Sequence, residues 1–232
     1  MAKARRTGWR KWWRRVWVSV VVLLLLPIPA VLLMAVVQPP TTMMMLKRTF
    51  ERLADGDRPV YPTRIVVSRD QISPFLRRAV LASEDDRFYL HHGFDLVEID
   101  KALAKQKQGG KLRGASTLTQ QVAKNIFLWD GRSFVRKGLE AYVTMWLEML
   151  LPKDRILDIY LNMAEWGDGV FGAEAAAQKY FGKSASKLTR EEAARLAVIL
   201  PAPLRWSPTG SIATARAAAV MDRMQYPAPR PD

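Results

Sequence analysis

The stretch Arg113-Gly114-Ala115-Ser116-Thr117-Leu118-Thr119-Gln120-Gln121-Val122-Ala123-Lys124-Asn125 decides how this chain is read. Small residues lead into Thr117, and Gln120 follows three positions later. That is the spacing of a capping box, in which side chains and backbone at the first turn of a helix satisfy one another. The helix is predicted to run to about Trp129. Its N-terminus, entered from a small-residue loop, offers free backbone N–H groups to an anion. Gln121, Lys124 and Asn125 stand at i, i+3 and i+4 and so share one face. An ordinary capped helix with a polar side fits the same letters, so the stretch gains its meaning from its neighbours.

Upstream, Ser73-Pro74 has the form of an N-cap followed by a first-turn proline, opening a helix to about Arg87. That helix ends in Glu84-Asp85-Asp86-Arg87-Phe88-Tyr89-Leu90-His91-His92-Gly93-Phe94-Asp95. Acids at a helix C-terminus run against the macrodipole, which hints at a purpose other than stability. A carboxylate at a cleft edge can accept a proton from a sugar hydroxyl if burial tunes its pKa. Solvated surface acids are the plainer alternative. His91 and His92 lack further spaced ligands and read as structural rather than metal-binding.

Downstream, Ser133 caps a helix on which Val135, Leu139, Tyr142 and Trp146 recur with helical spacing, a predicted apolar face. Arg136, Lys137 and Glu140 ride on the same helix. As a surface pair with the base N-terminal to the acid they would contribute only about 0.3–0.5 kcal/mol. Pro152 precedes a helix carrying Ile156, Leu157, Tyr160 and Leu161, with Asn162 at its end. Gly167, Gly169 and Gly172 mark a loop of close backbone approach. Helices are predicted at 172–180 and 189–199, one short extended piece at 64–68, and a fraying tail at 211–232. The expected fold class is therefore mainly α.

The N-terminus is a separate problem. Residues 16–37, VWVSVVVLLLLPIPAVLLMAVV, carry no charge, and about 20 apolar residues cross a bilayer core. The run is too long for a signal-peptide core, and no convincing cleavage site follows. Pro27 and Pro29 are expected to kink the helix, and Trp9, Trp12, Trp13 and Trp17 form an interfacial belt at its entry. Seven Lys and Arg with no acid in residues 1–15 place the N-terminus in the cytoplasm and the rest outside. The expected organisation is a basic segment (1–15), a transmembrane helix (16–37), a stalk (38–64), one domain (65–210) and the tail (211–232).

Composition agrees with one globular domain behind an anchor. Hydrophobic residues make up 49% of 232 residues, which rules out a disordered chain. There is no cysteine, which excludes disulfides and thiolate metal sites. The net charge is +14, and residues 1–15 hold half of it. A basic excess suits nucleic acid, anionic lipid or a phosphorylated substrate equally.

Taken in order, these stretches resemble the peptidoglycan glycosyltransferase family found in penicillin-binding proteins. Its patterns E-D-x-x-F-x-x-H-x-G-x-D, G-x-S-T-x-T-Q-Q-x-x-K-N, R-K-x-x-E and Y-L-N-x-x-x-[FW]-G-x-G-x-x-G all occur across about residues 70–200, with Ala115 where many members have a second glycine. The length resembles the monofunctional, single-domain branch. Ser184-Ala185-Ser186-Lys187 matches a transpeptidase S-x-x-K, but no K-T-G follows, and the match is read as accidental.

The resemblance implies a lysozyme-like, two-lobed domain at the periplasmic side of the cell inner membrane. It implies that lipid II is joined into glycan strands, the acceptor 4-hydroxyl displacing undecaprenyl diphosphate with inversion. By motif position Glu84 is the general base and Glu140 a second acid at the diphosphate. Gln121, Lys124, Arg136 and Lys137, with Ser116 and Asn162, bind substrate. A divalent cation, magnesium or manganese, is used by some members and would be held largely by the diphosphate, since no dedicated metal cage is encoded. Expected partners are lipid II, the growing strand, membrane lipid and other cell-wall synthesis proteins, with no nucleic acid. The alternatives are a lysozyme-like lytic enzyme and a non-enzymatic, membrane-anchored cell-wall-binding protein.

Overall fold

The computed structural model describes residues 3–56, 61–110, 116–131, 133–226 and 228–230. Within it, Pro27 divides the apolar run. A proline nitrogen has no hydrogen to return to the preceding turn, and α1 (Lys3–Leu25) gives way to α2 (Pro27–Met34) at Leu26, whose angles stay helical. The stretch Trp9–Met34 contains an 18-residue window of mean hydropathy 2.7 and is long and apolar enough to cross a membrane. Its side chains are mostly exposed, but Val31 and Met34 are buried at the end that meets the domain. There the Tyr142 hydroxyl donates to the Leu24 carbonyl, and Arg155 Nε donates to the Met34 carbonyl at 2.7 Å.

Within the segment read as a stalk lies α3 (Met43–Asp55), capped by Thr42 and closed by Gly56 in the left-handed region. Its charged side reaches the domain through Lys47–Asp130 (2.7 Å), Arg48–Glu165 (2.8 Å) and Arg52–Asp168 (3.1 Å). Its other side leaves Phe50 67% and Leu53 61% exposed. The usual inside-out order of a surface helix is thus reversed, with ion pairs inward and apolar groups outward.

The domain proper is helical around a minimal sheet. Strands β1 (Thr63–Arg64), β2 (Glu165–Gly167) and β3 (Val170–Phe171) lie in the order β1-β3-β2. Thr63 pairs with Val170 in parallel, and β2 and β3 form an antiparallel hairpin. The loop expected at Gly167–Gly172 is this hairpin, because Gly169 (φ 64°) and Gly172 (φ 84°) supply its turn and exit. The extended piece expected at 64–68 shortens because Val67 gives its backbone groups to the Asn162 side chain instead of a strand.

The helices are α4 (Pro74–Glu84), α5 (Leu96–Lys107), α6 (Leu118–Phe127), α7 (Phe134–Leu150), α8 (Lys153–Met163), α9 (Ala173–Phe181), α10 (Arg190–Ile199) and α11 (Ser211–Arg223). α4 packs on α10 and α11, and α6 packs on α7 and α8. Leu76, Leu118, Leu147, Ile156, Tyr160 and Trp166 lie in the core between them. The capping box of Thr117 and Gln120 and the Ser73 and Ser133 caps form as expected.

Three expectations need correction. α4 stops at Glu84 rather than near Arg87, because Asp85 (φ −164°) leaves the helix. The apolar face assigned to α7 is displaced: Glu140, Val143, Thr144 and Leu147 are buried, while Val135 and Leu139 are exposed. Residues 211–223 do not fray but form α11, since Ala213, Ala217, Val220 and Met224 make a buried stripe against the domain.

Gly93 has φ 86°, and a Cβ there would lie 2.6 Å from Thr144 Cγ2. Gly93→Ala is therefore expected to lower stability by about 1–3 kcal/mol. Chemical denaturation checks this, and an unchanged midpoint would contradict it.

Candidate active site

Where α4 ends, the chain turns so that Asp85 points inward. Its Oδ2 accepts the backbone N–H of Leu118, the first residue of α6, at 2.9 Å, and its Oδ1 meets His91 Nε2 at 2.9 Å. The Gly93 N–H donates to His91 Nδ1 at 3.2 Å, so the ring proton sits on Nε2 and is donated to Asp85. A negative group against the first N–H groups of a helix is favoured by its dipole. Thr117 adds a second tie, donating to the Gly93 carbonyl at 2.7 Å.

Asp85, His91 and Asp95 bring possible ligand atoms within 4.8 Å of one another. Each atom is already engaged. Asp95 Oδ1 caps α5 through the Val97 and Glu98 N–H groups, and its Oδ2 accepts from Arg87 Nε at 3.1 Å. The trio is an anchor for the α4–α6 junction.

That anchor brings Glu84, at the last turn of α4, against α6. Gln121 Nε2 donates to Glu84 Oε2 at 3.0 Å, and Tyr160 Oη on α8 donates to Gln121 Oε1 at 3.1 Å. Burial pushes the Glu84 carboxyl above the ordinary range, with the Asp85 charge adding to it; the Gln121 bond and the Arg223 charge pull the other way. Burial, with the charges of Glu84 and Asp85, holds the Tyr160 hydroxyl well above the usual phenol range. A half-buried carboxyl whose proton affinity is raised by burial, with one amide donor, is better equipped than a solvated one to take or give a proton.

Gln121 and Tyr160 also line a cleft of about 410 Å³, with Lys124, Asn125, Arg48, Asp130 and Arg205 among its walls. Asn125 Oδ1 is buried and has no protein partner there. Glu165 also lines it, paired with Arg48, which leaves Lys124 and Arg205 as the cleft cations available to an anion.

Glu140 is not part of a surface pair, as its letters suggested. It is 3% exposed. Arg136 Nη1 holds its Oε2 at 2.5 Å, and the Lys137 ammonium holds its Oε1. Removing either cation would leave a buried charge less compensated. Arg136 Nε also donates to the Gly131 carbonyl at 2.7 Å, beside cleft residue Asp130.

The structure thus brings Glu84 and Gln121 into contact, sets Lys124 in the adjoining cleft, and groups Glu140 with Arg136 and Lys137 on α7. Ser116 is exposed just before the α6 cap. The Arg113-Gly114-Ala115 part of the anion-loop reading lies outside the described residues. Asn162 stands apart, its amide engaged by the Val67 backbone (3.0 and 3.1 Å) and the Asp158 carbonyl (2.9 Å). It clamps the approach to the sheet. Sequence reasoning missed the part played by Tyr160, and Arg48, Arg205 and Arg223 altogether. Each comes from an element distant in sequence, and no local spacing signals it.

The Transglycosylase family profile matches residues 51–225. Among similar proteins, the biosynthetic peptidoglycan transglycosylase of Xylella fastidiosa (strain 9a5c) is 48% identical over 196 residues, covering 84% of this chain and 81% of its own. The proteins of the same name from Shigella boydii serotype 4 and Escherichia coli K12 are 59% identical over 155 residues, covering 65% of this chain and 64% of theirs.

A raised carboxyl makes a prediction about stability. Glu84 contributes most when protonated and costs stability as pH rises through its folded pKa. Glu84→Gln is therefore expected to melt above the parent at neutral pH, with the gap closing as pH falls below the carboxyl's range. A gap that widens on acidification would contradict the burial argument.

Proposed function

The chain belongs to the transglycosylase family, a peptidoglycan glycosyltransferase family, and on that premise we propose that it polymerises lipid II into glycan strands with release of undecaprenyl diphosphate. The observation that carries the mechanism is the contact of half-buried Glu84 with Gln121 beside a cleft lined by Lys124. Glu84 is the general base. It takes the proton of the acceptor's 4-hydroxyl as that oxygen bonds to the donor's anomeric carbon. The bond from that carbon to the diphosphate oxygen breaks, with inversion, and its electron pair leaves with the diphosphate. A diphosphate departs ionised and needs no general acid, only cations to stabilise the developing charge. Lys124 and Arg205 in the cleft, with Arg136 and Lys137 around Glu140, supply them.

A divalent cation would arrive with the diphosphate. The acids beside the cleft do not make a cage for it: Asp130, Glu140 and Glu165 are held by Lys47, by Arg136 and Lys137, and by Arg48 respectively. No step is assigned to the ion.

A lytic reading keeps one point in its favour, since the raised Glu84 carboxyl could also serve as an acid. A retaining glycosidase needs a second free carboxylate about 5–5.5 Å away. Asp85, the adjoining acid, has both oxygens tied to Leu118 and His91. On this reading the uncharged run 16–37, within the candidate span Trp9–Met34, anchors the enzyme in the cell inner membrane, and the seven cations of residues 1–15 put the domain in the periplasm, where a lipid-linked substrate shares its membrane.

Two measurements test this. With purified protein and lipid II, Glu84→Gln is expected to lower kcat by roughly 10²–10⁴-fold with substrate binding kept. Lys124→Ala should cut kcat/KM by about tenfold or more. Glycan fragments in place of polymer, or Glu84→Gln turnover within a few-fold of the parent, would reject the mechanism. For topology, reporter fusions after residue 40 should be active only outside the cytoplasm; cytoplasmic activity would reverse the orientation.

A further inference from the structure

We infer that Tyr160 is a positioning residue for Glu84, its hydroxyl deciding which end of the Gln121 amide faces the carboxylate. An amide has a donor end and an acceptor end of nearly equal size, and its orientation is set by its neighbours. An ionised carboxylate only accepts, so Glu84 needs the NH₂ end. Glu84 alone imposes this weakly, because on protonation it would accept the opposite orientation. Tyr160 adds the second constraint. Its Oη lies 3.1 Å from Gln121 Oε1 while Gln121 Nε2 lies 3.0 Å from Glu84 Oε2. At 1% exposed, Tyr160 stands where bulk water does not replace its hydroxyl.

The three groups come from α8, α6 and α4, so the chain of bonds also sets the spacing of three helices at the cleft. A hydroxyl can donate and can accept. When Glu84 gains a proton and becomes a donor, the amide can turn over and offer its NH₂ to the Tyr160 oxygen. One side chain thereby serves both protonation states of the acid, and phenylalanine serves neither. The loss falls harder on the ionised state, because bonds to a charged acceptor are the stronger ones and a donor feeding the amide polarises its N–H.

The other charges acting on Glu84 are Asp85 at the end of its own helix and Arg223 on α11. α10 meets this end of α4 through the Ala197 carbonyl, which accepts from Ser83 Oγ at 3.4 Å. None of these is altered by removing the Tyr160 hydroxyl. The inference rests on the reading of Glu84 as general base.

The test uses the full chain in detergent with lipid II, comparing Tyr160→Phe, Gln121→Met and the double variant for kcat and KM across pH, beside thermal melting. Tyr160→Phe is expected to keep KM within about twofold and to move the acid limb of kcat upward by up to about half a pH unit, part of the worth of one net hydrogen bond, since the hydroxyl favours the ionised state only by difference. Gln121→Met should move the limb at least as far, and the double variant should match Gln121→Met because the two act through one path. A Tyr160→Phe profile superimposed on the parent, or additive shifts, would overturn the inference. So would a Gln121→Met variant with raised KM and an unmoved limb, since Gln121 would then hold substrate instead. If Tyr160→Phe does not fold, Tyr160→3-fluorotyrosine takes its place: its hydroxyl is the stronger donor and should move the limb downward, and an unmoved limb overturns the inference. The base reading fails separately: it falls if Glu84→Gln still polymerises, whereas an inactive Glu84→Gln with an unmoved Tyr160→Phe limb removes only the role of Tyr160.

Discussion

The Asp85 carboxylate is the joint on which the site depends. It ends α4, receives the first free N–H of α6, and fixes the His91 ring. Its charge is matched to the positive end of a helix and to a ring N–H, so it is stable inside without a formal cation. Because it holds the end of α4 against the start of α6, Glu84 one residue earlier and Gln121 three residues into α6 have little choice but to meet. The Gly93 turn belongs to the same joint, since its N–H sets the His91 tautomer and its carbonyl accepts from Thr117. The acid proposed as the base is thus held in place by the residue that follows it.

Around this joint the charges are sorted. Glu84 is half-buried beside an amide and keeps a raised carboxyl, whereas Glu140 is buried beside two cations. Two acids in one domain therefore have opposite surroundings. The reversed helix α3 ties this arrangement to the N-terminal span. Its ion pairs reach Asp130 at the cleft and Glu165 in β2, while Phe50 and Leu53 face away. The exposed Phe50 and Leu53 thus lie on the side of α3 that does not pair with the domain.

Much of this was legible in the sequence because it is local. Capping boxes, first-turn prolines and helix-spaced polar residues need only a few neighbouring letters, and Thr117, Ser73 and Ser133 cap as their spacing says. What failed is what depends on distant partners. The α7 face was misread because Val135 and Leu139 are apolar by letter, yet Glu140 and Thr144 are the residues turned inward. α11 was missed because alanines have little periodic contrast until a partner surface covers them. α5 was missed because its cap, Asp95, also belongs to an acidic motif. The resemblance names Asn162 and Gln121 as substrate-binding; without substrate their amides hydrogen-bond within the protein. A motif gives residue identity at a position; whether that side chain faces substrate or its own scaffold is decided by packing.

The central claim is that a carboxylate making no contact with substrate sets the geometry of the one that does. Asp85→Asn tests it most directly, because asparagine keeps the volume but cannot accept from both the Leu118 N–H and the His91 ring. The measurement is steady-state polymerisation of lipid II by the folded variant, with circular dichroism and melting recorded alongside. The account predicts a lower melting temperature, a kcat reduced about tenfold or more, as loss of a charged hydrogen bond at a buried joint implies, and a KM close to the parent's. A variant that melts lower yet turns over at the parental rate would contradict it, for Glu84 would then hold its place without the joint.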